Sequence, residues 1–202
     1  MQGALDQLRA MILLGELSPG VQIRQQEMAE QLGISRVPLR EALNVLSDNG
    51  LLVHRRNQGY FVAKRLPAEV AQIRRMLYLL ENELLLSLTW PDDAVLQDLR
   101  AINQRIAAAV ARQDFVQISA LNWDFHRTIY GLSPHDLILR EVLRLWALLD
   151  PVYVARLSQS DYLQHMVAEH DDMMTILAER DIDRLVAAMN AHRYRTGPAP
   201  TL

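Results

Sequence analysis

The chain has 202 residues, 50% hydrophobic, 22% charged and 6% aromatic, with a net charge of −3. That mixture excludes a disordered or collagen-like polymer and is long enough for one large or two small cores. There is no cysteine, so disulfides and zinc–thiolate centres are excluded and any metal must be held by nitrogen and oxygen donors. No run of about 18 apolar residues occurs, and no basic-then-apolar leader opens the chain. The expectation is a soluble, cytoplasmic protein with no membrane partner. Residues 1–65 hold 8 Lys and Arg against 6 Asp and Glu, whereas residues 66–202 hold 13 against 18. A mildly basic front and an acidic back suggest two tasks.

From Ala4 to Leu14, Leu5, Leu8, Met11 and Ile12 form a helical stripe that Gly15 and Ser18-Pro19-Gly20 end. A short helix around Gln26–Leu32 stops at Gly33. Ser35 is then suited to cap a helix over Val37–Asn49, its hydroxyl accepting from a first-turn amide. Leu51–His54, a polar turn over Arg55–Gly59, and Tyr60–Val62 read as a β-hairpin with a basic tip. From Pro67 onward there is no strand pattern. Helices are expected over Ala68–Leu88, Asp92–Arg112, Asp114–Tyr130, Asp136–Leu157, Asp161–Glu179 and Asp181–Tyr194, with Asp92, Asp136, Asp161 and Asp181 at helix starts, where a carboxylate suits the helix dipole.

The fold class that follows is mainly α. Residues 1–65 form a winged helix-turn-helix of three helices and a hairpin, and residues 66–202 form an all-α antiparallel bundle. In the front unit Arg36 and Arg40 lie four apart near the start of the third helix, where side chains of a recognition helix reach base edges in the major groove. Arg55 and Arg56 fall on the wing. Singly, each of these is equally well an ordinary solvated charge.

The run Leu13–Gly20, the segment Glu27–Leu43 with its Ser35-Arg36-Val37-Pro38-Leu39-Arg40 core, Leu46 through Leu51 and Gly59-Tyr60-Phe61-Val62 together resemble the DNA-binding domain of the GntR family of bacterial transcription regulators. The resemblance spans about residues 4–63. It implies that Ser35, Arg36, Val37 and Arg40, with Gly59 at the wing, touch double-stranded DNA. Gln26 occupies a position where the family often carries Arg.

In the back unit three histidines occupy core-facing places on three predicted helices. His126 flanks the stripe Ile118, Leu121, Phe125, Ile129, with Asn122 one turn before it; His170 falls inside a Leu- and Met-rich stripe; His192 lies one turn beyond Met189. Buried imidazoles need partners, and a shared metal would satisfy all three. From the pattern alone, that reading and three separately hydrogen-bonded core histidines both stay open. An all-helical half behind a GntR-type domain resembles the FCD effector domain of the FadR subfamily. That resemblance implies a divalent metal, zinc or nickel, on His126, His170 and His192, with Asn122 at the position of the family's usual aspartate. Asp124 lies on another face of the helix and is no replacement. The family's common Arg before Leu80-Glu81 is replaced by Leu77.

The resemblance further implies a small carboxylate effector near the metal. Arg156 is the candidate for its counter-charge, with a plain surface arginine as the alternative. The resulting expectation is a ligand-responsive repressor, not an enzyme, that binds a palindromic operator as a homodimer. A regulator that senses the ion itself is the alternative. A metal-dependent hydrolase is disfavoured because no general base accompanies the histidines.

Overall fold

A computed structural model describes residues 2–157 and 161–194. Its elements, in chain order, are α1 (Gln2–Leu13), β1 (Gln22–Ile23), α2 (Gln25–Leu32), α3 (Arg36–Asp48), β2 (Leu52–Arg55), β3 (Gly59–Val62), α4 (Pro67–Leu86), α5 (Asp93–Ala111), α6 (Phe115–Tyr130), α7 (Asp136–Leu157), α8 (Asp161–Glu179) and α9 (Ile182–Tyr194). The chain is mainly α, with a winged helix-turn-helix in front and helices behind.

α2 ends on Gly33, whose φ of 63° places it in the left-handed region that favours glycine, and α3 starts three residues later. Leu39, Ala42, Leu43 and Leu46 are the buried side of α3, at the spacing of one helical face. They pack with Leu8, Ile12, Ile23, Leu52, Tyr60 and Val62 into one core. Each fully buried leucine contributes roughly 1.5–3 kcal/mol. Two details differ from the sequence expectation. β1 pairs antiparallel with β3, Gln22 opposite Phe61 and Ile23 opposite Tyr60, so the wing is three-stranded; two residues are too few to show a period of two. Ser35 has the extended backbone of an N-cap, but its hydroxyl makes no capping hydrogen bond; the residue is exposed.

Behind Arg65 a second core forms around Phe125, Leu84, Leu85, Leu99, Ile106 and Ile118. Within it α5 packs on α6 and α8, α4 on α7 and α9, and α8 on α9. Asp92 and Asp114 cap their helices through side-chain bonds to the Val95 and Gln117 amides, 3.0 and 3.1 Å. The two cores meet. Leu13 of α1 belongs to the second core, and Arg9 lies over the Trp123 ring at 5.2 Å.

Gly50, just after α3, has a φ of 73°, and a Cβ there would collide with Cδ2 of Leu148 on α7. Gly50→Ala should therefore cost about 1–3 kcal/mol, from left-handed strain and displacement of Leu148, and lower the melting temperature by several degrees. A thermal melt checks this; an unchanged midpoint would show that α7 does not abut the end of α3.

Candidate nucleic-acid interface and candidate metal centre

The amphipathic division of α3 turns its apolar side inward and so puts its polar side outward. Ser35, Arg36, Val37 and Arg40 are all exposed, Val37 at 68%, an unusual exposure for an apolar residue. Arg36 donates to the Gln26 side chain at 3.1 Å, and Gln26 donates to Glu30 at 3.3 Å, so the start of α2 holds one of the arginines of α3. Sequence reasoning noted Gln26 as a departure but not this contact. On the wing, Arg55 ends β2 with its guanidinium 4.4 Å from the Phe61 ring centroid, Arg56 opens the exposed turn, and Gly59 begins β3 with a φ of 86°. Arg36 and Arg40 on α3 and Arg55 and Arg56 on the wing are all exposed.

The second site is internal. α6, α8 and α9 each send one imidazole to the same place. Ring centroids of His126, His170 and His192 are 5.0 to 5.2 Å apart, and one donor atom from each lies within 4.8 Å of the others. All three residues are buried, His170 completely, and Asn122, one turn before His126 on α6, is buried too. The spacing of three and four residues along α6, with Phe125 between, places Asn122 and His126 on one side of that helix. Phe125 stacks on His170 with centroids 4.0 Å apart and ring planes 13° from parallel.

Hydrogen bonds define which ring nitrogens face the centre. His192 gives its Nδ1–H to Glu169 at 2.6 Å, so its Nε2 carries the lone pair. That Nε2 lies 3.2 Å from Nε2 of His126, which must carry the proton of the pair. His170 gives Nδ1–H to Asn103 at 3.1 Å. His170 Nε2, His126 Nδ1 and Asn122 Oδ1 are buried and find no hydrogen-bond partner among the described residues. Burial holds all three imidazoles neutral. His126 is pushed well below the ordinary value of 6.5, by desolvation and then by the neighbouring His192, His170 and Arg193. Desolvation and His192 lower His170 to about 2, and desolvation and Arg193 lower His192 to about 4. Neutral imidazoles are the charge state that metal ligation requires, and the proton that His126 shares with His192 is the one an ion at that place would displace.

A charged pair borders the centre. Glu81 on α4, buried, pairs with Arg193 on α9 and accepts from Trp146 Nε1 at 2.6 Å. Desolvation raises the Glu81 pKa, against the opposing pull of Arg193. Arg193 also donates to the Tyr130 hydroxyl at 3.0 Å. Sequence reasoning missed Arg193 because a basic residue in a last helical turn is common. Leu77, where the family's common Arg would be, is buried in the second core. Arg156 falls on α7, and its side chain lies outside the described residues. Asp124 is exposed, as expected for the other face of α6.

Comparison with known proteins adds the following. The family model described as bacterial regulatory proteins, gntR family, matches residues 2–62, and that of the FCD domain matches residues 69–195. The Nta operon transcriptional regulator of Aminobacter aminovorans is 32% identical over 186 residues, covering 86% of this chain and 81% of its own length. An uncharacterized HTH-type transcriptional regulator from an unstable DNA locus of Streptomyces ambofaciens is 29% identical over 186 residues, covering 92% and 78%. The solved structure of E. coli McbR/YncC superposes with a TM-score of 0.78 at 22% identity, covering 95% of this chain and 92% of that one. No helix among the described residues is long and apolar enough to cross a membrane.

The depressed imidazole pKa values give the metal-free protein a pH dependence. Above the unfolded value of 6.5 these groups are neutral in both states. Below it the unfolded chain takes up protons that the fold refuses, so stability falls continuously toward about 4 for His192 and about 2 for His170. The melting temperature of chelator-treated protein should therefore drop between about pH 7 and pH 5, and His170→Phe should reduce the drop. A flat profile over that interval would contradict the buried neutral cluster.

Proposed function

The chain belongs to the gntR family of bacterial regulatory proteins and carries an FCD domain, and from this premise we propose that it is a ligand-responsive repressor whose two units divide the work. Residues 1–65 read double-stranded DNA, and residues 66–202 bind a metal ion, a small carboxylate effector and a second copy of the chain. The observation that carries this reading is the convergence of three imidazoles from three helices in a buried place, behind an exposed arginine-bearing α3.

In the DNA-reading role, Ser35, Arg36, Val37 and Arg40 enter the major groove. Arg36 and Arg40 bond guanine edges or phosphates, and Val37 meets thymine methyls. Arg55, Arg56 and the glycine-opened strand at Gly59 meet the backbone or minor groove beside it. A homodimer presents two such heads to a palindromic operator. In the sensing role, His126, His170 and His192, with the amide oxygen of Asn122, would hold a divalent ion. The donor set fits. Two buried acceptor atoms, His170 Nε2 and Asn122 Oδ1, lack partners among the described residues, and imidazole with one neutral oxygen suits zinc or nickel. When bound, the ion supplies positive charge that draws a carboxylate to the bundle interior. Arg156 is the proposed second anchor for that carboxylate.

Contacts between the units provide a route for coupling. Trp146 lies 6.4 Å from the His126 ring and 5.4 Å from Trp123, and Arg9 of α1 covers Trp123. A change of packing around the histidines therefore bears on the first helix of the DNA-reading head. Coupling of this kind is reciprocal, so operator and effector must change each other's affinity by the same factor.

Arg40→Ala should weaken operator binding by about 1–3 kcal/mol, roughly 5- to 150-fold, without changing the melting temperature. Fluorescence anisotropy on the DNA upstream of the chain's own gene cluster checks this, and wild-type affinity would refute the role of Arg40. His126→Ala should purify without stoichiometric zinc or nickel; unchanged metal content by elemental analysis would contradict the site. Operator affinity of stripped and metal-loaded protein, without any organic acid, separates sensing of the ion from sensing of the acid.

A further inference from the structure

On α5, Leu96, Leu99 and Ile106 form an apolar stripe that one polar residue, Asn103, interrupts. Asn103 is 3% exposed and belongs to no metal-ligand set. Its amide is fully committed. Nδ2 donates to the Val167 carbonyl at 3.0 Å and to the Asp171 carboxylate at 2.9 Å, and Oδ1 faces His170 Nδ1 at 3.1 Å. Reversing the amide would set its oxygen against a carbonyl and a carboxylate, three acceptors with no donor between them, and would turn an N–H toward His170. The orientation is therefore fixed from the α8 side, and an oxygen at that place can only accept.

We propose that Asn103 is a positioning residue for the histidine centre, locking His170 as its Nδ1–H tautomer so that the Nε2 lone pair faces His126 and His192. The alternative tautomer would put a hydrogen on Nε2, where it would point at the other rings and block coordination. Stacking on Phe125 holds the plane of the ring, and Asn103 fixes which nitrogen looks inward. Glu169 does the same for His192 with a full carboxylate. The two outer partners thus differ in charge, a neutral amide on one ligand and an anion on the other, and the amide makes His170 the weaker base of the two. Asp171, exposed, lines a groove of about 500 Å³ between α5 and α8 together with Asn103 and Arg100.

The claim about coordination rests on the metal reading above; the claim about the tautomer does not. Long-range proton–nitrogen NMR on the metal-free full chain reads the tautomer directly, and zinc alone, in competition with a chromophoric chelator, reads the affinity. The wild type should show His170 protonated at Nδ1. Asn103→Leu should introduce the Nε2–H form and weaken zinc binding by about 10- to 100-fold. A wild-type His170 protonated at Nε2, or an Asn103→Leu protein with the wild-type tautomer and zinc affinity, would overturn the assignment. Should the variant fail to fold, the wild-type tautomer decides. A tautomer change with no zinc uptake by either protein would uphold Asn103 as the positioning residue and remove the metal reading instead.

Discussion

Three uncharged imidazoles held against one another in a buried core are the constraint around which the back half of this molecule is arranged. An isolated histidine buried in hydrocarbon leaves a donor or an acceptor unmatched, and the loss is of the order of 1–3 kcal/mol for each such group. Here the surrounding helices answer some of that demand, through Asn103 on His170 and Glu169 on His192. One atom each on His126, His170 and Asn122 is buried with no hydrogen-bond partner among the described residues. Buried polar atoms left in this way call for a partner that the protein itself does not supply among the described residues.

The same core explains why the two halves do not act as beads on a string. Leu13, the last residue of α1, is packed in the bundle, Arg9 lies on Trp123, and Gly50 lets α7 approach the end of α3 with no side chain between them. These contacts join the first and third helices of the DNA-reading head to α6 and α7, and α6 carries Asn122 and His126. Interfaces of this kind have discrete packings, so in the proposed function a small movement at the centre would change how the head is held.

Much of this was legible in the sequence, and the reason is periodicity. The stripe Leu39, Ala42, Leu43, Leu46 defined both the buried side of α3 and, by subtraction, the exposed arginines. His126, His170 and His192 stood out because each sat on or beside an apolar stripe where a polar ring is anomalous. What escaped was either too short or too ordinary to stand out. β1 has only two residues. Ser35 has the residue type and backbone of a cap, yet cap bonds depend on a rotamer that sequence does not specify. Asn103 and Arg193 gain their meaning only from α8 and from α4 respectively, elements more than 60 residues away and more than 100 residues away. Asn103 did carry a signal, since it breaks an apolar stripe as the histidines do, but a single buried amide is a commoner event than a buried imidazole.

X-ray absorption at the metal edge of the protein as purified probes the centre most directly. The account predicts a stoichiometric zinc or nickel edge with the multiple-scattering pattern of three imidazoles at about 2.0–2.1 Å and one or more light oxygen donors. A protein free of metal after purification and reconstitution, or an ion with an oxygen-only shell and no imidazole scattering, would contradict it.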